Sequence, residues 1–220
     1  MINSAHSKNG GFSSNSVYLR RVFVRRVHQL VLLGYERLTP STYGKAEEPS
    51  ITGDLVEAID QVLSERYEPW MSMFSVHDDP PVNDGRRKGK RRKRVDLRID
   101  SGAVRPRARF RFESKRLGRR HTVKIYLGTD GLGCFLRGDY AREEDQAGML
   151  GYVQRGNLSD WGNKIAQELA KTPALYAVDS ASPFCIKSTW SAASQAYHSG
   201  HNRTAVGRPI LIDHILLVFY

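Results

Sequence analysis

Asp96, Glu113 and Lys115 are the residues whose types and spacing best suit bond-breaking chemistry in this 220-residue chain. Each acid lies in a run of alternating apolar and polar residues: Val95, Leu97 and Ile99 alternate with Asp96, Arg98 and Asp100, and Phe110 and Phe112 alternate with Arg109, Arg111 and Glu113. Period-two alternation with branched and aromatic residues predicts strands. Lys115, two residues after Glu113, then points to the same side. In a simple hairpin, opposed residues have a constant sum of residue numbers. A turn centred between Val104 and Arg105 sets that sum at 209, which Asp96 and Glu113 meet. A slip of one residue would carry one acid to the other face.

Two opposed carboxylates repel unless a cation lies between them. A hard ion such as Mg²⁺ or Mn²⁺ takes carboxylate oxygens, carbonyls and waters. Asp96, Glu113 and the backbone carbonyl of Ser114 offer the first two kinds. Such an ion acidifies water and neutralises a phosphoryl transition state, and Lys115 is placed to orient the water or to stabilise charge on the phosphate. The set reads as a phosphodiesterase site. The plainer alternative is that these are solvated charges on a sheet face, with Glu113 paired to an arginine. Asp100 reads as an exposed turn residue and a weaker choice of first ligand.

The surroundings favour a polyanion. The net charge is +11, from 34 Lys+Arg and 23 Asp+Glu. Arg86 to Arg120 holds 17 of the basic residues against only Asp96, Asp100 and Glu113, so that segment carries +14 and the rest −3. Arg91, Arg92, Lys93 and Arg94, just before Asp96, and Arg116, just after Lys115, are therefore assigned to nucleic-acid contact. The run KGKRRKR (residues 88–94) also suits a nuclear-localisation signal.

The D…ExK pattern, with Val95-Asp96 on one strand and Glu113-Ser114-Lys115 on the next, resembles the PD-(D/E)XK nuclease superfamily. Val95 stands where the motif has proline. The resemblance spans roughly Ile51 to the end. It implies a restriction-endonuclease-like core, a mixed β-sheet flanked by helices, and Mg²⁺-dependent (or Mn²⁺-dependent) endonuclease activity on DNA. A preceding helix often supplies a further glutamate, here Glu57, with Glu48 as rival. A following helix often carries Gln or Lys and Tyr, here Gln146 and Tyr152. FESKRL, YLGTDGLGCFLRGDY, GMLGYV and HSGHNR together look like nucleases linked to bacterial phage defence. His201 and Arg203, in the last of these, are weaker candidates for phosphate contact.

The elements that must position these residues begin after a tail at residues 1–16. A single nuclease-like domain is expected over 17–220, with a helical N-terminal part (17–76) and a basic loop (77–94). A helix is predicted over 17–33, with Ser16 as its cap and Gly34 as its stop. Residues 34–53 read as loop. A second helix is predicted over 54–66, from Leu55, Ile59, Val62 and Leu63 at helical spacing. After the hairpin, a third strand is expected over Val123 to Leu127, and helices over 142–155 and 158–171. Leu175 to Val178 reads as a strand, HSGHNR as a loop between elements, and PILIDHILLVFY as one or two buried strands. The fold class is therefore α/β or α+β around a mixed sheet.

Composition excludes other classes. Two cysteines, Cys134 and Cys185, form no CxxC pair, so zinc-ribbon and disulfide scaffolds are excluded and a reducing cytoplasm is expected. No apolar run approaches the roughly 18 residues of a membrane span. The arginine-rich helix 17–33 lacks the clean polar face of a membrane-surface helix. The expected partner is DNA. A homo-oligomer and a protein that supplies target recognition stay open. The rival reading is a non-catalytic basic module that binds DNA or RNA.

Overall fold

The computed structural model describes residues 14–65, 68–82, 90, 92–103 and 106–220. Among these, seven strands form one mixed sheet, in the order β1-β2-β3-β4-β7-β6-β5. The strands are β1 (Phe74–Asp78), β2 (Leu97–Ser101), β3 (Ala108–Leu117), β4 (Gln146–Val153), β5 (Cys185–Ser191), β6 (Ser194–His201) and β7 (Ile210–Val218). The helices are α1 (Ser14–Glu36), α2 (Glu48–Glu65), α3 (Val123–Tyr126), α4 (Leu132–Leu136) and α5 (Leu158–Lys171). The fold is thus α/β with helices on a mixed sheet, as the sequence predicts.

Strand alternation divides the apolar residues between two cores. Phe110 and Phe112 of β3, Leu150 and Tyr152 of β4, and Ile215 and Leu217 of β7 pack with Val27, Leu30, Leu55 and Ile59 of α1 and α2. Leu117, Ala147, Met149, Val153 and Leu216 face the other way, against Tyr126, Leu132, Phe135, Trp161 and Ile165 of α3, α4 and α5. Burial of this much apolar surface on both sides dominates the stability of the central strands.

The hairpin has the register that the turn arithmetic requires. Leu97 pairs with Phe112, Arg98 with Arg111 and Ile99 with Phe110. The ladder ends at Leu97–Phe112, and Asp96, the residue before β2, reaches β3 through the Ser114 amide. The turn residues Val104 and Arg105 lie outside the described residues. On its other side β3 runs parallel to β4, which runs parallel to β7.

Several predicted elements differ. Helix α1 starts at Ser14, inside the expected tail, and continues past Gly34 to Glu36. Gly34 is not a stop but a point of close approach: a Cβ there would lie 2.5 Å from Ile59 Cγ1 of α2. The expected loop over 34–53 holds a 3₁₀ turn at Pro40–Tyr43 and the first residues of α2. Strand β1 takes His77 and Asp78 from the expected basic loop.

Residues 123–126 are helical because Val123, Tyr126 and Leu127 bury on one side while Ile125 stays 46% exposed. Residues 146–153 are a strand rather than part of a helix over 142–155. Lying between β3 and β7, β4 is covered on both faces, so its sequence shows no alternation. Gly148 makes room there, since a Cβ would lie 2.3 Å from the Phe112 ring. Leu175 is 70% exposed, and only an isolated bridge from Val178 to His201 remains of the strand expected over 175–178. His198 to His201 belong to β6, not to a loop, and PILIDHILLVFY holds one strand. Helix α5 matches its predicted range.

At the sheet's outer edge, β5 pairs with β6 with register shifts between Ile186 and Ser188 and between Thr189 and Ser191.

Candidate active site

Glu113, Ser114 and Lys115 occupy the second half of β3, where α2 begins across the sheet end. The Ser114 amide donates to Asp96 Oδ2 at 2.6 Å, which ties the residue before β2 to the ExK segment. Lys115 Nζ donates to Glu113 Oε1 at 2.8 Å, to Glu48 Oε1 at 2.9 Å and to the Ser114 carbonyl at 2.6 Å. Three oxygens from two elements thus surround one ammonium. The second oxygen of Glu48 accepts the Arg116 amide at 3.3 Å.

Glu113 is 5% exposed, and its Oε2 is buried without a hydrogen-bond partner. Burial, and then the charge of Asp96, push its carboxyl up to about 8 against the pull of Lys115. Burial also pushes Asp96 up to about 6, although the Ser114 amide and Lys115 oppose it. Burial pulls Lys115 down, but Glu113 and Glu48 outweigh it and hold the ammonium above its ordinary range. More negative charge is buried here than one lysine neutralises.

Two neighbours of the cluster, Tyr140 and Cys134, are given no role by the sequence reading. The Tyr140 hydroxyl donates to the Arg94 carbonyl at 2.5 Å, two residues before Asp96. Burial raises the Cys134 thiol to about 11, and the nearby charge of Glu113 adds to that rise. Both side chains are buried. Both lie in YLGTDGLGCFLRGDY, and their place after α3 brings them near Glu113.

Of the two helical glutamates, α2 brings Glu48 to the cluster and not Glu57. Glu57 lies nine residues further along the same helix. It is exposed, and its contact is with Gln61 at 3.4 Å. A helix rises 1.5 Å per residue, which separates the two by about 13 Å.

Other assigned residues have different work. Arg116 clamps the start of α2, binding Glu47 at 2.6 Å and the Ala46 carbonyl at 3.3 Å, so its guanidinium does not line a free nucleic-acid surface. Arg94 pairs with Asp79 and is exposed, and Lys93 and Arg92 are half-buried. Arg91 lies outside the described residues. Gln146 and Tyr152 are on strand β4. Gln146 donates to buried Asp213 at 2.8 Å, well along the strand from Lys115. Tyr152 lies behind the site, on the α1–α2 side, where it meets Ser114 and Thr52.

His201 is fully buried and bonds Ser199 Oγ at 2.7 Å and the Tyr176 carbonyl at 2.8 Å. Arg203 is 3% exposed and donates to carbonyls that include Ala141 at 2.8 Å and Glu144 at 2.7 Å. It fastens a loop and does not reach a phosphate. Asp100 is no turn residue: it is buried in β2 and pairs with Arg98 at 3.0 Å.

Comparison with known proteins finds no family model, no curated protein and no solved structure that matches this chain.

The cluster's donor set fits a hard divalent cation: carboxylates and a carbonyl, one carboxylate oxygen being buried and unpartnered. Among the described residues no three Asp, Glu, His or Cys side chains converge as a finished metal-ligand set. Lys115 instead bridges Glu113 and Glu48. Two surface depressions of about 510 and 580 Å³ lie between α3–α4 and α5, and neither is lined by Asp96, Glu113 or Lys115. Among the described residues no helix is long and apolar enough to cross a membrane.

Proposed function

We propose that the chain is a metal-dependent nuclease of restriction-endonuclease-like design, acting on DNA phosphodiesters in the cytoplasm. The observation that carries this reading is the buried Glu113 carboxylate. It has an unpartnered oxygen and lies beside Asp96, the Ser114 carbonyl and Lys115, within the most basic stretch of the chain. Asp96, Glu113 and the Ser114 carbonyl would hold Mg²⁺ or Mn²⁺, with Glu48 supporting them. The bound ion supplies an acidified water and neutralises charge on the scissile phosphate. Lys115 would stabilise the phosphate's developing charge, and would orient that water on releasing one of its three acceptors. Arg92, Lys93 and Arg94 hold the strand's phosphates over the site.

Supercoiled plasmid incubated with Mg²⁺ or Mn²⁺ tests this. Cleavage is expected from the wild type, abolished by chelator, and lost in Glu113→Ala and Lys115→Ala. Equal cleavage by all three proteins removes the site assignment.

A second reading draws on Lys115, which already bridges two carboxylates. The chain would then be a non-catalytic module that binds DNA or RNA through its basic segment. It predicts steeply salt-dependent binding that chelator leaves unchanged.

A further inference from the structure

We infer that Tyr152 and Thr52, which lie outside the acidic cluster, are its positioning residues. They set the distance between Glu48 and the Glu113–Lys115 segment. This rests on the nuclease reading for its consequence, but not for its geometry.

Ser114 faces both ways. Its amide and carbonyl serve the site, through Asp96 Oδ2 and Lys115 Nζ. Its side chain points to the opposite layer, where Ser114 Oγ lies 3.1 Å from the Tyr152 hydroxyl. The Tyr152 hydroxyl lies 2.9 Å from Thr52 Oγ1, and Thr52 Oγ1 lies 3.0 Å from the Glu48 carbonyl. A carbonyl only accepts, so the Thr52 proton goes to Glu48. Thr52 Oγ1 must then accept from Tyr152, and Tyr152 must accept from Ser114. Three hydroxyls thus donate in one direction, from β3 through β4 to the first turn of α2.

The chain of hydroxyls is sealed from water. Tyr152 and Ser114 are fully buried and Thr52 is 3% exposed. In such surroundings an unmade hydrogen bond costs more than it does at a surface, so the spacing is held firmly. Glu48 and Ser114 are the two residues that the chain joins. Together with Glu113, they are also the three that give oxygens to Lys115. The hydroxyl chain therefore fixes the separation of the two elements that share the ammonium.

The test uses the full chain. In wild type, the Lys115 ¹⁵Nζ–¹H resonance is expected to be sharp and slow to exchange, because three acceptors hold it. Tyr152→Phe and Thr52→Val each break the hydroxyl chain and should broaden that signal. Each should also weaken Mn²⁺ binding about tenfold, as loss of outer partners does at metal sites. Cleavage by both variants should fall in kcat with KM for DNA unchanged. Thr52→Ser restores the hydroxyl and should behave as wild type. Because the two residues act in one chain, the double variant should be no worse than either single one.

A Lys115 signal unchanged in Tyr152→Phe and Thr52→Val overturns the positioning role, whatever happens to the melting temperature. A wild type without a sharp Lys115 signal overturns the geometry itself. If wild type binds no Mn²⁺ but both variants lose the Lys115 signal, the positioning role stands and the nuclease reading falls.

Discussion

Two of the polar clusters buried among the described residues are built on opposite terms. In the first, Glu113 and Glu48 share one lysine beside Asp96, and Glu113 keeps an oxygen without a partner. In the second, His214, Ser199 and His201 run through the α3–α5 side of the core. The Tyr126 hydroxyl lies 3.1 Å from His214 Nδ1, Ser199 Oγ lies 2.8 Å from His214 Nε2 and 2.7 Å from His201 Nε2, and His201 Nδ1 lies 2.8 Å from the Tyr176 carbonyl. Every ring nitrogen there has a partner. Burial depresses His214 to about 3 and His201 to about 4, so both stay neutral. The satisfied cluster specifies a fold. On the proposed nuclease reading, the unsatisfied one is where a cation would bind.

The largest expected contrast is catalytic. Glu48→Ala should lower metal-dependent cleavage about 100-fold, the low end for loss of a positioned acid–base or charge-bearing group. A plasmid assay in which Glu48→Ala matches wild type would move the boundary of the functional cluster. On the histidine side, His214→Ala should destabilise the fold by about 2–4 kcal/mol through a cavity and stranded partners. Urea melts measure this, and cleavage per folded molecule should be unchanged.

The two clusters also answer pH with opposite sign. His201 and His214 take up protons more readily unfolded than folded, so their contribution is complete above about pH 6.5. It falls as pH drops from there through about 4 for His201 and about 3 for His214. His201→Asn should flatten that acid limb in stability measured against pH. Glu113 behaves in reverse: its folded value near 8 lies above the ordinary 4.5. Folding is therefore favoured at low pH and loses that contribution as pH rises through about 8. Glu113→Gln in chelator should raise the melting temperature at pH 8 by about 3 °C, a shift that corresponds to roughly 1 kcal/mol. It should do little at pH 4. The smallest effect belongs to Glu57→Ala, expected to stay within about 0.5 kcal/mol of wild type and to cleave normally.

The legibility of each part follows the range of the interactions behind it. The β2–β3 register could be read because alternation and a short turn fix it locally, and Asp96, Glu113 and Lys115 follow from it. The choice between Glu48 and Glu57 could not, since it depends on how α2 crosses the sheet end. Strand β4 was hidden because burial on both faces and Gly148 erase alternation. α3 was misread because four residues fit either period. Arg203 and His201 are assigned to phosphate from the HSGHNR run, yet each finds its partners within the core. Tyr152 was named for a helix it does not join, and its contact with Thr52 spans 100 residues of sequence.

The two register shifts in β5 bear on how copies of this chain meet. An outer strand with evenly spaced amides and carbonyls invites another chain to add itself, and the addition can repeat without end. The offsets at Ile186/Ser188 and Thr189/Ser191 interrupt that spacing twice within seven residues. A newcomer that matched the first few groups would fall out of step at the next. Among the described residues the sheet ends at β5, and the two offsets work against edge-to-edge addition there.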